Sequence, residues 1–327
     1  MVLWFCRLSI SAHLRSRRGF TDGKLRLFSS LCMSMKTLSS ILTSPALVLL
    51  LAGGCTSAYK HVLIVHGILS GPETLQRTLS GFIKRAHPGT KVTVIDLFNH
   101  RDSTKPLWKQ VHGFGRVIQR IARRSPEGVH LLCFSQGGPI CRGVLSVLPN
   151  HNVHTFIALS SPLAGQYGVP ESLYKYLPSS SRHSIHFFCY SKIAQNLMSV
   201  CNYWNDPHHH YKYLKHNNYL PLLNGEKLNS QTAEWRNNFL RIRKLVLIGG
   251  PDDEVIIPWQ SSQFGFYNSQ GAIIDMRSQR FYREDTFGLR TLDARGDIIM
   301  CSQSGVKHTE WQSNPRVFNR CIREWLD

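Results

Sequence analysis

From residue 59 onward the chain alternates short, continuous apolar runs with stretches whose apolar residues recur at helical spacing. The first run, "HVLIVHG", predicts a buried strand over Val62 to Val65, closed by a glycine turn at Gly67. Leu75, Leu79, Phe82 and Ile83 then fall on one helical face, which predicts a helix from about Pro72 to Ala86. "KVTVIDL" reads as the next strand. "LWKQVHGFGRVIQRIARR" reads as the next helix, with Val111, Phe114, Ile118 and Ile121 along one side. Strand "VHLLCF", helix "GGPICRGVLSVL" and strand "HTFIALSSP" continue the series. Such regular alternation predicts an α/β protein with a mostly parallel sheet and flanking crossover helices. After Pro162 the alternation fails for about eighty residues rich in Tyr, His, Asn and Ser. A stretch that long is expected to be an inserted cap with helices of its own, about 163–243, over one end of the sheet. "KLVLIGG" resumes the sheet, a short strand is expected near Ile298 to Met300, and a last helix from about Pro315 to Leu326. Residues 59–327 are expected to form one domain.

Upstream the pattern has another meaning. "MKTLSSILTSPALVLLLAGGCTSAYK" begins at Met35 with one lysine, is apolar from Ile41 to Gly54 and ends in small residues, which is the layout of a secretory signal peptide over residues 35–58. Residues 1–34 are expected to be an N-terminal extension of the reading frame, with the true start at Met33 or Met35. No later stretch approaches the roughly 18 apolar residues a bilayer span needs, so no transmembrane segment is expected. The formal charge of +19 would suggest nucleic acid, but residues 1–58 carry seven Lys or Arg against one Asp. The remaining excess is spread without a basic block, so a nucleic-acid partner is not expected.

Cysteine usage agrees with export. Of nine cysteines, Cys6, Cys32 and Cys55 precede Tyr59, which leaves an even set of six. They lie as three sequence-near pairs, Cys133 with Cys141, Cys189 with Cys201, and Cys301 with Cys321. Six cysteines allow 15 connectivities in general, and this one is favoured because each pair closes a short loop.

The stretch "HLLCFSQGGPICRG" sets Ser135 between a strand and a helix, where a nucleophilic serine sits in the α/β-hydrolase arrangement. Residues two before and two after such a serine must be small, since strand and helix backbones pass close together there. Cys133 and Gly137 meet that condition. Chain order in this arrangement requires an acid and then a histidine. Beyond residue 254 the only histidine is His308, in the turn-like "SGVKHTEW". "KLVLIGGPDDE" offers Asp252, Asp253 and Glu254 directly after a strand, and Asp253 is preferred because Pro251 fixes the turn start and leaves Asp252 to cap it. The backbone N–H groups of Gln136 and of Ile68, in "HGILSG", are the expected oxyanion donors. His66 is read as support for its turn. "HHH" at 208–210 is read as exposed cap surface, because adjacent histidines point apart. Neither metal nor cofactor is expected. Tyr203, Trp204, Tyr211, Tyr213 and Tyr219 fit either an apolar ligand groove or the cap's own core.

In order along the chain, "VHG", "FSQGG", "LSSP", "YWNDP", "NNFL", "FGFY" and "DTFGL" resemble the palmitoyl-protein thioesterase family of α/β-hydrolases. "CFSQGG", "GGPDD", "PWQSS" and "HTEW" are most similar to its lysosomal thioesterase branch. The resemblance implies Ser135 as nucleophile, Asp253 as acid, His308 as base, and the three cysteine pairs. It also implies a fatty acyl thioester substrate, acyl-CoA or an S-acylated peptide, and a lysosomal location reached by the secretory route. One departure is the absence of any N-x-S/T sequon, although members of the family are usually glycoproteins. Two other readings stay open on these residues: a lipid or oxygen-ester hydrolase using the same machinery, and a catalytically silent homologue that binds lipid. Oligomeric state is not legible.

Overall fold

The computed structural model describes residues 59–168, 170 and 185–327. The expected signal peptide at 35–58 and the extension at 1–34 lie outside the described residues. Six strands, β1 (His61–Val65), β2 (Val92–Val94), β3 (Val129–Phe134), β4 (Val153–Leu159), β5 (Lys244–Gly249) and β8 (Ile298–Ser302), form one sheet in the order β2-β1-β3-β4-β5-β8. Every pairing in it is parallel, with His61 opposite Val129 and Cys133 opposite Ala158. A separate antiparallel pair, β6 (Phe266–Tyr267) with β7 (Ile273–Ile274), was not expected from the sequence.

The apolar runs are continuous because both faces of the sheet are covered. Leu63, Val65, Leu131, Phe156, Ala158 and Leu247 point to one side, against helices α3 (Leu107–Ala122) and α4 (Gly137–Val147). Val62, Ile64, Leu132, Ile157 and Val246 point to the other, against α1 (Pro72–Arg77), α2 (Leu79–Ala86) and the C-terminal segment. Each of these strand residues is fully buried. Such burial contributes roughly 1.5–3 kcal/mol per large apolar side chain.

Two helices depart from expectation. The one expected over Pro72 to Ala86 is broken at Thr78, whose N–H and hydroxyl both donate to the Thr74 carbonyl, at 2.9 and 2.7 Å. A hydroxyl that bonds back to the preceding turn competes with the helix ladder and bends it. At the C-terminus, a single α-turn (Pro315–Val317) passes into a π-turn over Phe318–Ile322 and a 3₁₀ turn over Arg323–Trp325. The wider turn buries Phe318, Cys321 and Ile322 together and brings Cys321 to a disulfide with Cys301 of β8.

Between β4 and β5 the described cap residues form short helices: α5 (Ile185–Cys189), α6 (Lys192–Leu197), α7 (Ser199–Asn202), α8 (His210–His216) and α9 (Leu220–Leu223). The Cys189–Cys201 disulfide ties α5 to α7. The next helix, α10 (Thr232–Phe239), packs against α4 and so serves as the crossover helix that returns the chain to β5. Its Asn238 amide donates to the Ser146 carbonyl at 2.9 Å.

Candidate active site

Ser135 sits at the C-terminal end of β3, on the turn into α4. Its backbone has φ 54°, in the left-handed region a non-glycine residue adopts only under constraint. The constraint is crowding. A Cβ placed on Gly137 would lie 2.7 Å from the Val65 carbonyl oxygen, and one on Gly67 would lie 2.7 Å from the Ser135 Cβ. Small residues are therefore required on both sides of the serine. Cys133 fills the remaining position by bonding forward to Cys141, eight residues on, so that strand and helix are joined across Ser135. The Ser135 N–H donates to the Leu159 carbonyl of β4 at 3.0 Å.

His308, in the loop after β8, places Nε2 2.9 Å from Ser135 Oγ. Its Nδ1 lies 2.9 and 3.1 Å from the two oxygens of Asp253, in the loop after β5. Phe134 stacks on the imidazole with ring centroids 5.1 Å apart. The three acids of "PDDE" divide their work. Asp252 accepts the Gly305 N–H at 2.7 Å, Glu254 accepts the His308 backbone N–H at 3.2 Å, and only Asp253 reaches the imidazole ring. All three thus hold one loop, and the middle one also holds the ring.

Asp253 is buried, which opposes ionisation. That is the largest single contribution, and individually smaller opposing ones come from His308, by hydrogen bond and by charge, then from the Ile256 N–H and the Ser160 hydroxyl. Together they hold its carboxyl below the ordinary Asp value. The Val255 and Ile256 N–H groups donate to Oδ1 at 3.0 and 2.9 Å, and Trp311 Nε1 donates to Oδ2 at 2.8 Å. Ser160 donates to Oδ2 and has its oxygen 3.2 Å from His308 Nδ1. Sequence reasoning missed Ser160 and Trp311 as site residues. The quoted "LSSP" and "HTEW" contain them, but neither lies on a periodic face that would single it out.

Of the two expected oxyanion donors, Ile68 lines the cleft together with Ser135, and Gln136 directly follows that serine. Gln136 is the residue before α4, so its N–H has no intrahelical acceptor. Among the described residues no protein acceptor meets it or the Ile68 N–H. Their geometry depends on Ser103, another residue the sequence did not disclose. Ser103 Oγ accepts the Leu69 N–H at 2.6 Å, and its carbonyl accepts from the Gln136 side chain at 2.7 Å. His66 supports the same turn, its ring nitrogens each 2.9 Å from a carbonyl oxygen, of Gly67 and of Leu97. The cleft continues over Met198, Val200, Tyr203, Trp204, Val255 and Ile256.

The cap aromatics divide between their two readings. Tyr203 and Trp204 line the cleft, Tyr213 and Tyr219 are fully buried outside its lining, and Tyr211 is exposed. Around 208–210, Asp206 caps the turn by accepting the His208 and His209 N–H groups. No cluster of potential metal ligands occurs among the described residues.

Comparison with known proteins gives this geometry a lineage. A family model described as palmitoyl protein thioesterase matches residues 61–308. The chain is 49% identical over 269 residues to lysosomal thioesterase PPT2 of Rattus norvegicus, covering 82% of this chain and 88% of the relative. It is 50% identical over 270 residues to lysosomal thioesterase PPT2-B of Xenopus laevis, covering 82% and 93%. A solved lipase, BlEst2 of Bacillus licheniformis in mature form, overlaps 83% of this chain and 93% of its own with a TM-score of 0.48 at 12% identity. The chain belongs to the palmitoyl protein thioesterase family of α/β-hydrolases.

Proposed function

We propose that this serine thioesterase hydrolyses fatty acyl thioesters, on coenzyme A or on S-acylated peptides, through an acyl-enzyme on Ser135. The observation that carries the reading is the strained Ser135, at φ 54° and with Oγ 2.9 Å from His308 Nε2, at the base of an apolar cleft. The compartment is the lysosome, as for the relatives named for it.

The steps follow from the contacts. With Nδ1–H donated to Asp253, Nε2 of His308 is left as the acceptor that takes the Ser135 proton as Oγ attacks the thioester carbonyl. Asp253 fixes that tautomer and stabilises the imidazolium that forms. Negative charge develops on the former carbonyl oxygen, where the Gln136 and Ile68 N–H groups receive it. The C–S bond then breaks. A thiolate, whose conjugate acid has a pKa of about 8.5, leaves with little help and takes its proton from His308 or solvent. Water, deprotonated by His308, attacks the Ser135 ester, the fatty acid departs, and the serine regains its proton. The cap residues Met198, Val200, Tyr203 and Trp204 offer the acyl chain an apolar wall.

The test is steady-state hydrolysis of a long-chain acyl-CoA beside an oxygen ester of the same acyl group, with Ser135→Ala as control. The thioester should be preferred, and the variant should lose about 10⁴-fold or more. Undiminished turnover by Ser135→Ala would remove the nucleophile from the proposal. A large oxygen-ester preference would remove the thioester.

A further inference from the structure

The cap has a second surface that the reaction does not use. On α5 and α6, Phe187, Ile193 and Leu197 are 65%, 71% and 63% exposed, and Tyr211 on α8 is 71% exposed. Ile193 and Leu197 lie four residues apart, on one side of α6, while Ala194 of the same helix is buried. Large apolar side chains so open to water are uncommon in one short segment of a globular protein, and clustering is what marks an interaction surface. Within this segment the exposed charge is of one sign. Over the described residues 185–217 the basic side chains are Lys192, Lys212 and Lys215 with several histidines, and the only carboxylate, Asp206, is buried and bound within its own turn. Lys212 Nζ stands 4.0 Å from the Phe187 ring centroid, which joins α8 to α5, and Lys215 Nζ stands 5.6 Å from that of Tyr211. Cations are therefore held at the level of the exposed rings. The other side of α5 lines the cleft through Ile185 and Cys189, beside Met198 just after α6 and Val200 of α7.

We propose that the outward face of α5, α6 and α8 docks on an anionic lipid bilayer and so sets the mouth of the cleft against membrane-borne acyl chains. The composition decides between partners. Aliphatic and aromatic tips enter the interfacial region of a bilayer, while the lysines meet lipid phosphates, and each lysine adds to binding through the negative surface potential. An acidic protein would satisfy the lysines but would have to supply a matching apolar groove. A bilayer needs no such match. Docking is separate from the chemistry proposed above, so the two can fail independently.

The experiment is co-sedimentation of the purified protein with vesicles of phosphatidylcholine alone and of phosphatidylcholine with phosphatidylglycerol, alongside turnover of a short, soluble acyl-CoA. Binding should require phosphatidylglycerol and weaken as salt is raised. The double variant Ile193→Glu with Leu197→Glu should bind about tenfold or more weakly. Lys212→Glu with Lys215→Glu should lose a similar amount. Both should keep soluble turnover, since none of the four residues lines the cleft, and that turnover also reports their folding. Should one pair disturb the fold, the other carries the test. The proposal is overturned if the protein ignores anionic vesicles, if it binds both compositions equally, or if a correctly folded variant binds as tightly as the parent. Loss of soluble turnover in Ser135→Ala with vesicle binding retained would leave docking standing, and the converse would leave only the chemistry.

Discussion

The sheet and the cap are held together by different means. In the sheet, neighbouring strands pair through backbone groups and bury alternate side chains in two layers, so no single polar residue is indispensable. The cap helices described here are four to seven residues long, too short to satisfy their own ends, and side-chain amides supply the missing partners. Gln195 donates to the carbonyls of Cys189 and Cys201, both at 2.7 Å. Asn217 donates to Trp204 O at 3.1 Å and accepts the N–H groups of Tyr219 and Leu220. One buried cation joins the two regions. Arg142, on α4, donates to the carbonyls of Leu163 and Leu223 at 3.1 and 3.0 Å and to Asn224 Oδ1 at 2.8 Å, and it stacks 4.0 Å from the Phe287 ring centroid. Burial lowers its pKa to about 10. The region made of repeated backbone bonds carries the loops that bring Ser135, Asp253 and His308 together. The region made of individual side-chain bonds shapes the cleft.

That contrast can be broken at several points, the largest expected effect first. Asp253→Asn should cost about 10⁴-fold in kcat while leaving the denaturation midpoint nearly unchanged. Asp252→Asn, which frees only the Gly305 N–H, should stay within about tenfold of the parent. Equal losses from the two would mean that the loop, rather than the carboxylate at His308, limits the reaction. Arg142→Leu should remove about 3 kcal/mol of stability by denaturant unfolding, because buried cap carbonyls lose their donor. If cap and sheet are coupled mainly through this residue, the transition should also broaden. A single unshifted transition would show that apolar packing alone joins them.

Fully buried His130 on β3 is one of several buried polar side chains in the sheet, and among the described residues no group stands at good hydrogen-bonding geometry to its ring nitrogens. Burial, and then the neighbouring His154, lower its pKa to about 4. The unfolded chain takes up this proton first, near 6.5, so stability is lost as pH falls from about 6.5 towards 4, by up to roughly 3 kcal/mol. His130→Leu should flatten that acid slope, measured as the difference in unfolding free energy between neutral and acidic buffer. A slope unchanged by the substitution would assign it to other groups. Ser160→Ala should lower kcat about tenfold. With one donor gone, Asp253 is protonated more easily, so the acid limb of the pH–rate profile should move upward. A fall in kcat without that movement would make Ser160 a packing residue only.

What could be read from sequence follows from how each part is encoded. Strands buried on both faces write themselves as apolar runs, so β1, β3, β4 and β5 were legible together with the order of the loops that carry Ser135, Asp253 and His308. The turn serine, the lone late histidine and the acids after β5 were legible because chain order restricts where each can stand. The break at Thr78, the support given by Ser103, Ser160 and Trp311, and the division of labour within "PDDE" were not. Each depends on a polar atom finding a partner from another loop, and no spacing along the chain records that. The same limit applies to the cap, where composition marked an insertion but single Asn and Gln contacts arranged it. Local periodicity and residue type determined which segments are strands and which residues could do chemistry. Only the tertiary structure decided which hydrogen bonds those residues make, because their partners meet only once the sheet has brought its loops to one edge.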